Sequence, residues 1–430
     1  MRKRVLLSDC ATFQEGYVNP SQLDQSYFGD DVKWLRATDL NDGFVFETSR
    51  RLSHKGFKSA GKSATLFAPG TLAISKSGTI GRIGILQDYM CGNRAVINIK
   101  PNEQCDSRYI FYTLLLNRQT IETLAEGSVQ KNLYVSSLGS LEIEIPSLRE
   151  QKAISTTVGT LDDRIALLRE TNTTLEAIAQ ALFKSWFVDF DPVHAKQQGR
   201  EPEGMDASTA ALFPDSFEES ELGLVPMGWR VGTLEDCCER VESGGTPKRS
   251  QPEYWNGDID WITSGEVRNP IVFGSKEKIT ALGVNESSAK VWPSGTTIVA
   301  MYGATAGEVC LLANPATANQ ACCGLIPSEN TRAFLFFCTR RERQSLASKS
   351  SGSAQQNLNK GLVCGHKIII PSIEVITKYE FVIGELLNGW TENQKQAQTL
   401  ANLRDTLLPR LISGQLRLSD VETKLDHVSH

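Results

Sequence analysis

The chain has 430 residues, of which 40% are hydrophobic and 22% are charged, a composition typical of a globular protein with two or three domains. No apolar run reaches the roughly 18 residues of a membrane span, and the first apolar run is too short for a signal peptide. We therefore expect no membrane partner and a cytoplasmic location. Ten cysteines without Cys-x-x-Cys spacing, and only five histidines, argue against a metal site and favour buried, reduced thiols.

The net charge of −5 is unevenly distributed along the chain. Residues 1–146 hold 17 Lys+Arg against 15 Asp+Glu, and residues 226–371 hold 15 against 13. The excess of acid lies in the two remaining segments. The acidic total is therefore no objection to a nucleic-acid partner, although a slightly basic surface by itself indicates only solvation.

A long internal repeat organises the sequence. Gly127–Leu133 (Gly-Ser-Val-Gln-Lys-Asn-Leu) matches Gly352–Leu358 (Gly-Ser-Ala-Gln-Gln-Asn-Leu), and Asn93–Ala95 matches Asn319–Ala321. The offset stays between 225 and 227 residues across both copies, which is far longer than a solenoid unit. The chain therefore carries one domain twice.

Each copy contains short, β-branched apolar runs separated by Gly, Pro, Asn and Asp, which predict strands. Thr71–Ser75 and Thr296–Met301 are examples at matching places. The best helix candidates, Ser107–Leu124 and Thr331–Ser348, also match. These patterns predict two β-rich α+β domains.

After each copy the period changes to alternating steps of three and four, which predicts a coiled-coil helix. Ser147 and Glu150 form a capping box at the start of the first helix. Two such helices bury each other most simply, and antiparallel pairing would hold the two domains apart with pseudo-two-fold symmetry. The predicted spacer-helix core is Leu161, Ile165, Leu168, Leu175, Leu182, Leu386, Leu400 and Leu407.

These patterns predict six segments. They are a first domain (1–146), a first spacer helix (147–189), an extended connector rich in Pro, Gly and acid (190–228), a second domain (229–371), a second spacer helix (372–415) and a C-terminal tail (416–430).

One motif, Gly56–Ser63, has the spacing of a nucleotide-binding P-loop. That loop needs an apolar strand before it and a helix after it. The preceding residues are polar and charged, and Pro69-Gly70 ends any helix soon afterwards. The context therefore disfavours a nucleotide site. We identify no catalytic arrangement of side chains and do not expect an enzyme.

The connector residues Phe187–Lys196, Gly199–Asp206 and Leu212–Phe217 resemble those of type I restriction–modification specificity subunits. Gly244–Pro247 resembles the opening of their target recognition domains, and Leu407–Gly414 the end of their distal helix. The first copy departs from the family pattern, since its opening lacks Gly-Gly-Thr-Pro and Ser77–Gly81 replaces a longer glycine-alanine form.

The resemblance implies a non-catalytic specificity subunit that binds double-stranded DNA. Each domain would read one half of a bipartite target, and the helices would fix the unread gap. It also implies two modification subunits as partners, which bring S-adenosylmethionine and methylate adenine. Restriction subunits would bring ATP and Mg, so this chain would bind no cofactor or metal itself.

Base edges are read mainly by Arg, Lys, Asn and Gln, while phosphate contacts position the domain. Residues that recur in both copies could instead maintain the fold, because residues that discriminate between bases should differ. The DNA-binding candidates near predicted turns are Lys76, Arg82, Arg94, Gln130 and Lys131 in copy one and Lys248, Arg249, Tyr302, Gln355 and Lys360 in copy two.

Two alternatives remain open at this point. One is a nucleotide-dependent enzyme that uses Gly56–Ser63. The other is a structural coiled-coil adaptor whose β-rich domains bind protein.

Overall fold

A computed structural model describes residues 2–127, 131–349 and 357–418. The chain divides into unit 1, which is Met1–Ala166 with Gln398–His430, and unit 2, which is Leu167–Ala397. Each unit combines β-sheets with one section of each of two 40-residue helices.

The described residues of unit 1 form ten strands and a series of short helices before the first long helix. The elements are β1 (Lys3–Leu6), α1 (Leu7–Cys10), β2 (Ala11–Glu15), β3 (Phe28–Leu35), β4 (Gly43–Val45), β5 (Arg51–Leu52), α2 (His54–Lys58), β6 (Leu72–Ser75), β7 (Ile83–Leu86), β8 (Met90–Gly92), β9 (Val96–Pro101), α3 (Ser107–Leu116), α4 (Arg118–Thr123), α5 (Val135–Gly139), β10 (Glu142–Ile145) and α6 (Leu148–Phe187).

A five-stranded sheet with the order β2-β9-β6-β7-β4 is the centre of unit 1. Successive residues of a strand point to opposite faces, and both faces of β6 are covered. Leu72 and Ile74 pack in one apolar cluster with Tyr109 of α3, whereas Ala73 packs in another with Leu35 of β3. Burial on both faces explains why the first three residues of β6 are all apolar. A three-stranded sheet, β5-β3-β8, and the pair β1-β10 complete the unit.

Unit 2 repeats this series after a helical segment. Its elements, with the second long helix, are α7 (Asp191–Gln197), α8 (Ala207–Ala211), β11 (Phe217–Ser220), β12 (Gly223–Pro226), β13 (Arg230–Thr233), β14 (Cys238–Ser243), β15 (Trp255–Ile262), β16 (Ile271–Val272), β17 (Lys278–Ile279), α9 (Ala281–Asn285), β18 (Thr297–Ala300), β19 (Val309–Leu312), β20 (Thr317–Ala318), β21 (Cys322–Pro327), α10 (Arg332–Arg341), α11 (Arg343–Ser348), α12 (Lys360–Cys364), β22 (Lys367–Ile370) and α13 (Ile373–Ile412).

The sheets of unit 2 have the same strand order, β14-β21-β18-β19-β16 and β17-β15-β20, together with the pair β13-β22. Buried hydrogen bonds recur as well: Trp34 Nε1 donates to the Val18 carbonyl at 2.7 Å, and Trp261 Nε1 donates to the Gly245 carbonyl at 2.9 Å. Both pairs are separated by 16 residues. The prediction of a duplicated α+β domain is confirmed.

The two long helices run in opposite directions within each unit. In unit 1, Arg404 of α13 contacts Asp162 of α6 at 2.8 Å, and Arg2 contacts both Glu150 near the start of α6 and the Leu411 carbonyl near the end of α13. In unit 2, the Tyr379 hydroxyl donates to the Ala179 carbonyl at 3.3 Å. Gly389, later in α13, faces Leu175, earlier in α6. The predicted antiparallel direction is confirmed.

The predicted spacer-helix residues occupy different depths. Ile165 and Leu168 are buried, whereas the others are partly buried: Leu161, Leu175, Leu182, Leu386, Leu400 and Leu407. Leu387, beside Leu386, is the residue that is completely enclosed. A straight helix has 3.6 residues per turn, so a strict heptad pattern drifts away from the buried face over several turns.

An arginine joins each domain to the beginning of a long helix. Arg108 of α3 donates to the Gly159 carbonyl of α6 at 3.0 Å and pairs with Asp163. Arg332 of α10 donates to the Gly384 carbonyl of α13 at 3.2 Å. A Cβ atom added at Gly159 would lie 2.5 Å from the Arg108 guanidinium carbon. These helical glycines therefore provide the space that the arginines need.

The segment 190–228 was expected to be extended, and this expectation was wrong. It forms α7, α8 and the β11–β12 hairpin. Val193 and Phe213 of this segment are buried in the main apolar cluster of unit 2, which also contains Trp229 from the following domain. The polar composition concealed these few apolar anchors, which are spaced too irregularly to produce a periodic pattern. The tail prediction, 416–430, lies mostly outside the described residues.

Candidate nucleic-acid interface

Equivalent turns follow β8 and β20. The Asn93 side chain accepts a hydrogen bond from the Ala95 amide at 3.0 Å, and the Asn319 side chain accepts one from the Ala321 amide at 3.1 Å. Such a bond from an asparagine to the backbone two residues later is characteristic of an Asx turn. The recurring asparagine therefore builds the turn in both units.

The middle residue of each turn differs between the units. Arg94 and Gln320 are both exposed. The backbone amide of Asn93 donates to the Leu35 carbonyl at 3.0 Å, and that of Asn319 donates to the Ile262 carbonyl at 2.9 Å. These bonds attach each turn to the end of β3 or β15. The two units therefore present a guanidinium and a primary amide at the same place in the fold.

Lys76 occupies the strand end beside the first turn. Its amide donates to the Ala95 carbonyl, and its carbonyl accepts from the Leu133 amide. Its ammonium group pairs with Glu15 at 2.7 Å, and only 17% of its side chain is exposed. Met301 makes the same two backbone bonds in unit 2 but is buried. Lys76 is therefore a neutralised cation beside the turn rather than a free one.

Arg82 and Lys131, the remaining described candidates of unit 1, are exposed. Arg82 follows Gly81, whose φ of +85° allows the tight β6–β7 turn. Lys131 lies two residues before Leu133, which is hydrogen-bonded to Lys76. Gln130 lies outside the described residues.

In unit 2, Lys248 and Lys360 are exposed, and 41% of Tyr302 is exposed beside its β-bridge with Asn357. Gln355 lies outside the described residues. Arg249 has a different environment from the two lysines. It pairs with both carboxylate oxygens of Glu277, the second at 2.9 Å, and this pairing raises the pKa of Arg249 and lowers the pKa of Glu277.

Sequence reasoning selected Arg94 as a candidate but missed Gln320, which occupies the matching position of the same motif. The signal was present, since Asn93–Ala95 and Asn319–Ala321 agree at both ends and differ in the middle. A recurring frame around a differing residue is the pattern expected of a conserved scaffold that presents a variable contact.

The P-loop-like motif does not have the structure of a phosphate loop. Gly56 lies inside α2, where an added Cβ would come within 2.0 Å of the Tyr27 carbonyl oxygen. Gly283 of α9 packs against the Tyr254 carbonyl in the same manner. Gly56 therefore has a structural counterpart in unit 2. Close packing therefore explains the glycine.

The described residues offer no metal site and no membrane-spanning helix, and their cysteines are unpaired. Within residues 2–127, 131–349 and 357–418, no group of three His, Cys, Asp or Glu side chains could hold a metal ion. The ten cysteines are unpaired, and burial raises the pKa of Cys237 to about 12, which suppresses its reactive thiolate. Among those same residues, no helix is long and apolar enough to cross a membrane.

A duplicated scaffold with different side chains on matching turns is characteristic of a protein that recognises two different segments of a ligand. The family model described as the type I restriction modification DNA specificity domain matches residues 3–177 and 226–407. The chain belongs to this family. Members are specificity subunits, so the expectation that the chain is not an enzyme is confirmed.

Individual relatives agree with this assignment. The chain is 29% identical over 379 residues to the type I restriction enzyme HindI specificity subunit of Haemophilus influenzae, covering 77% of this chain and 82% of that protein. It is 25% identical to the MjaIX specificity subunit of Methanocaldococcus jannaschii, covering 94% and 91%. The crystal structure of a type I restriction-modification S subunit from M. genitalium has the same fold, with a TM-score of 0.65, 15% identity and 96% of each chain covered.

Proposed function

We propose that this chain selects the DNA target of a type I restriction–modification complex, with unit 1 and unit 2 each reading one half of a bipartite sequence. The observation that carries the proposal is the pair of matching turns that present Arg94 and Gln320. Arginine suits guanine in the major groove and glutamine suits adenine. Two units that differ at this place would read different half-sites.

The long helices would provide the attachment surface for two modification subunits. Apolar side chains that are exposed in the single chain support this role: 51% of Leu167 and 43% of Ile178 on α6, and 74% of Phe381 on α13, are accessible. Exposed apolar side chains of this size are characteristic of protein interfaces. The modification subunits would bring S-adenosylmethionine, and restriction subunits would bring ATP and Mg.

Adenine methylation tests the proposal directly. The chain is co-expressed with a type I modification (methyltransferase) subunit that co-purifies with it, and modified adenines are mapped across the host genome. We expect methylation at one gapped motif, and no methylation when this chain is omitted. Methylation without a gapped consensus would contradict the bipartite proposal. An unmethylated genome, despite co-purification of both proteins, would contradict the assignment to a modification complex.

A further inference from the structure

A guanidinium group covers an equivalent aromatic ring in each unit. The Arg50 guanidinium carbon lies 3.9 Å from the centre of the Phe28 ring, and the Arg249 guanidinium carbon lies 3.8 Å from the centre of the Trp255 ring. Phe28 begins β3 and Trp255 begins β15, the matching strands. The arrangement is therefore common to the two copies of the domain.

The arginines come from different positions in the duplicated sequence. Arg50 precedes β5 and bonds to Gln22, whereas Arg249 bonds to Glu277, which precedes β17. The separation within each pair is 28 residues. Gln22 therefore corresponds to Arg249, and Arg50 corresponds to Glu277. The arginine and its hydrogen-bonding partner therefore occupy swapped positions in the two copies, and a guanidinium stacks on the aromatic ring in both.

The exchange changes the charge of the site. Glu277 neutralises Arg249, whereas the Gln22 amide leaves the positive charge of Arg50 uncompensated. The acidic groups on neighbouring elements already pair with other cations: Asp24 with Lys55 at 3.5 Å, and Glu47 with Lys33 and Arg51 at 2.7 Å. Arg50 makes no ion pair with another described residue.

Arg50 also has hydrogen-bonding capacity left. A guanidinium has five N–H donors, and the described contacts of the Arg50 side chain engage only the one nitrogen that bonds Gln22. Stacking on Phe28 fixes the plane of the group, so its edge remains available for a phosphate oxygen. Because stacking already restricts the Arg50 side chain, phosphate binding would cost less side-chain entropy than it would for an unrestrained arginine.

The position of Arg50 relates it to the turn that carries Arg94. The Arg50 carbonyl accepts from the Trp34 amide at 3.3 Å, while the Leu35 carbonyl accepts from the Asn93 amide at 3.0 Å. Trp34 and Leu35 are adjacent in β3, so the segments that carry Arg50 and Arg94 are attached to its two edges at the same level. A phosphate contact at Arg50 would therefore lie beside the side chain proposed to read a base.

We propose that Arg50 contacts a backbone phosphate of the DNA bound by unit 1, and that Arg249 is a structural residue of unit 2 that contacts no phosphate. This inference rests on the proposed function. It identifies a difference between the two units in how they hold DNA: unit 1 uses a stacked cation that unit 2 has neutralised.

The salt dependence of DNA binding tests this difference. Each phosphate contact contributes about 0.9 to the slope of log K against log salt. The full chain, assembled with its modification subunits, is titrated between about 50 and 200 mM salt. The probes are a duplex with the mapped methylation motif and an unrelated duplex of equal length. We expect Arg50→Gln to reduce the slope by about 0.9 on both duplexes without changing their affinity ratio.

Exchange variants separate phosphate contact from folding. Gln22→Arg with Arg50→Glu gives unit 1 the arrangement of unit 2, and we expect the same loss of slope although a guanidinium remains on Phe28. Arg249→Gln with Glu277→Arg gives unit 2 the arrangement of unit 1, and we expect a slope that is steeper by about 0.9. Arg249→Gln with Glu277→Gln conserves net charge and should leave the slope unchanged.

An unchanged slope in Arg50→Gln, or an equal loss in the charge-conserving variant of Arg249, would overturn the inference while wild-type binding remained intact. Absence of salt-dependent binding by the wild-type complex to either duplex would instead contradict the proposed function. Thermal unfolding of each variant identifies those that have lost the fold.

Discussion

Unit 1 and unit 2 share backbone architecture but differ in their exposed charges. The strand order of the sheets, the tryptophan bond to the preceding loop and the asparagine-built turn are the same in both. The side chains at the turn, Arg94 and Gln320, are not. Backbone hydrogen bonds and buried packing tolerate little change, because an unpaired buried polar group or a cavity lowers stability by one or more kcal/mol. Exposed side chains have no such constraint and can diverge with the ligand.

Shortening α6 tests whether the units act as separate readers, and we expect it to have the largest effect. Deleting Thr171–Thr174 removes about one helical turn of 3.6 residues, so the buried face remains nearly in phase. We expect the gap between the half-sites to change while both half-sequences persist, and therefore a completely different set of methylated sites.

Methylation mapping measures the outcome of this deletion. A second variant that also lacks Asn393–Gln396 keeps the two long helices equal in length. Thr173→Ala with Thr174→Ala, at exposed positions, keeps the length and should preserve the wild-type motif. A changed half-sequence at the original gap would contradict the spacer role.

Exchanging the side chains of the two turns tests the proposed base contacts. We expect Arg94→Gln to alter the preference at one base pair of the unit 1 half-site by about 1–3 kcal/mol, or roughly 5- to 160-fold, because a bidentate contact is lost. Gln320→Arg should alter only the unit 2 half-site. The motif recovered from methylation mapping measures both changes, and the untouched half-site is the internal control. Variants that retain both half-sites would exclude these residues as base readers.

A buried difference between the sheets predicts unequal tolerance of substitution. Gly324 of β21 lies beneath Trp292, and an added Cβ would come within 2.8 Å of the indole ring. The matching residue of β9 is Asn98, whose amide donates to the Gln14 carbonyl at 3.2 Å. We expect Gly324→Ala to lower the free energy of unfolding by about 1–3 kcal/mol through overpacking.

Denaturant unfolding of the full chain measures this cost. Asn98→Ala is the matched variant of unit 1, and it should cost about 1 kcal/mol for the lost hydrogen bond. Equal stability of Gly324→Ala and wild type would show that the indole can move aside.

Low pH is expected to affect the stability of the two units differently, and this is the smallest of the predicted effects. Glu342, between α10 and α11, bonds to Nε2 of the buried His366 at 3.1 Å, and this bond, more than any other interaction, lowers the pKa of Glu342 from its ordinary 4.5. Stabilisation from a depressed carboxyl pKa is complete above the unfolded value and is lost as pH falls through the folded value. Asn117 occupies the matching position between α3 and α4 and does not titrate.

We therefore expect stability to fall less steeply below pH 4.5 in Glu342→Gln than in the wild type. Circular dichroism during denaturant unfolding at several pH values measures the slopes. If the unfolding free energies of Glu342→Gln and the wild type fall in parallel with pH, Glu342 does not contribute to the pH dependence of stability. Glu392→Gln, an exposed change on α13, is the control and should leave the slope unaltered.

Most of the architecture could be predicted from the sequence because it depends on local patterns. The helix candidates Ser107–Leu124 and Thr331–Ser348 are helical in the structure because their apolar spacing is helical throughout. Each forms a pair of helices, α3 with α4 and α10 with α11. The predicted long helices, 147–189 and 372–415, are observed as Leu148–Phe187 and Ile373–Ile412. The folded segment 190–228 could not be predicted, because its anchors are buried by distant residues.

The sequence by itself determined that the domain occurs twice and that a long helix follows each copy. A fixed offset and a fixed period are properties of the chain, and they survive without any knowledge of contacts. Only the tertiary structure decided which cations are free. Gln22 with Arg50, and Arg249 with Glu277, are pairs across 28 residues whose matching positions hold different residue types. Whether an arginine is neutralised depends on which side chain folding brings against it, and that information is absent from either position alone.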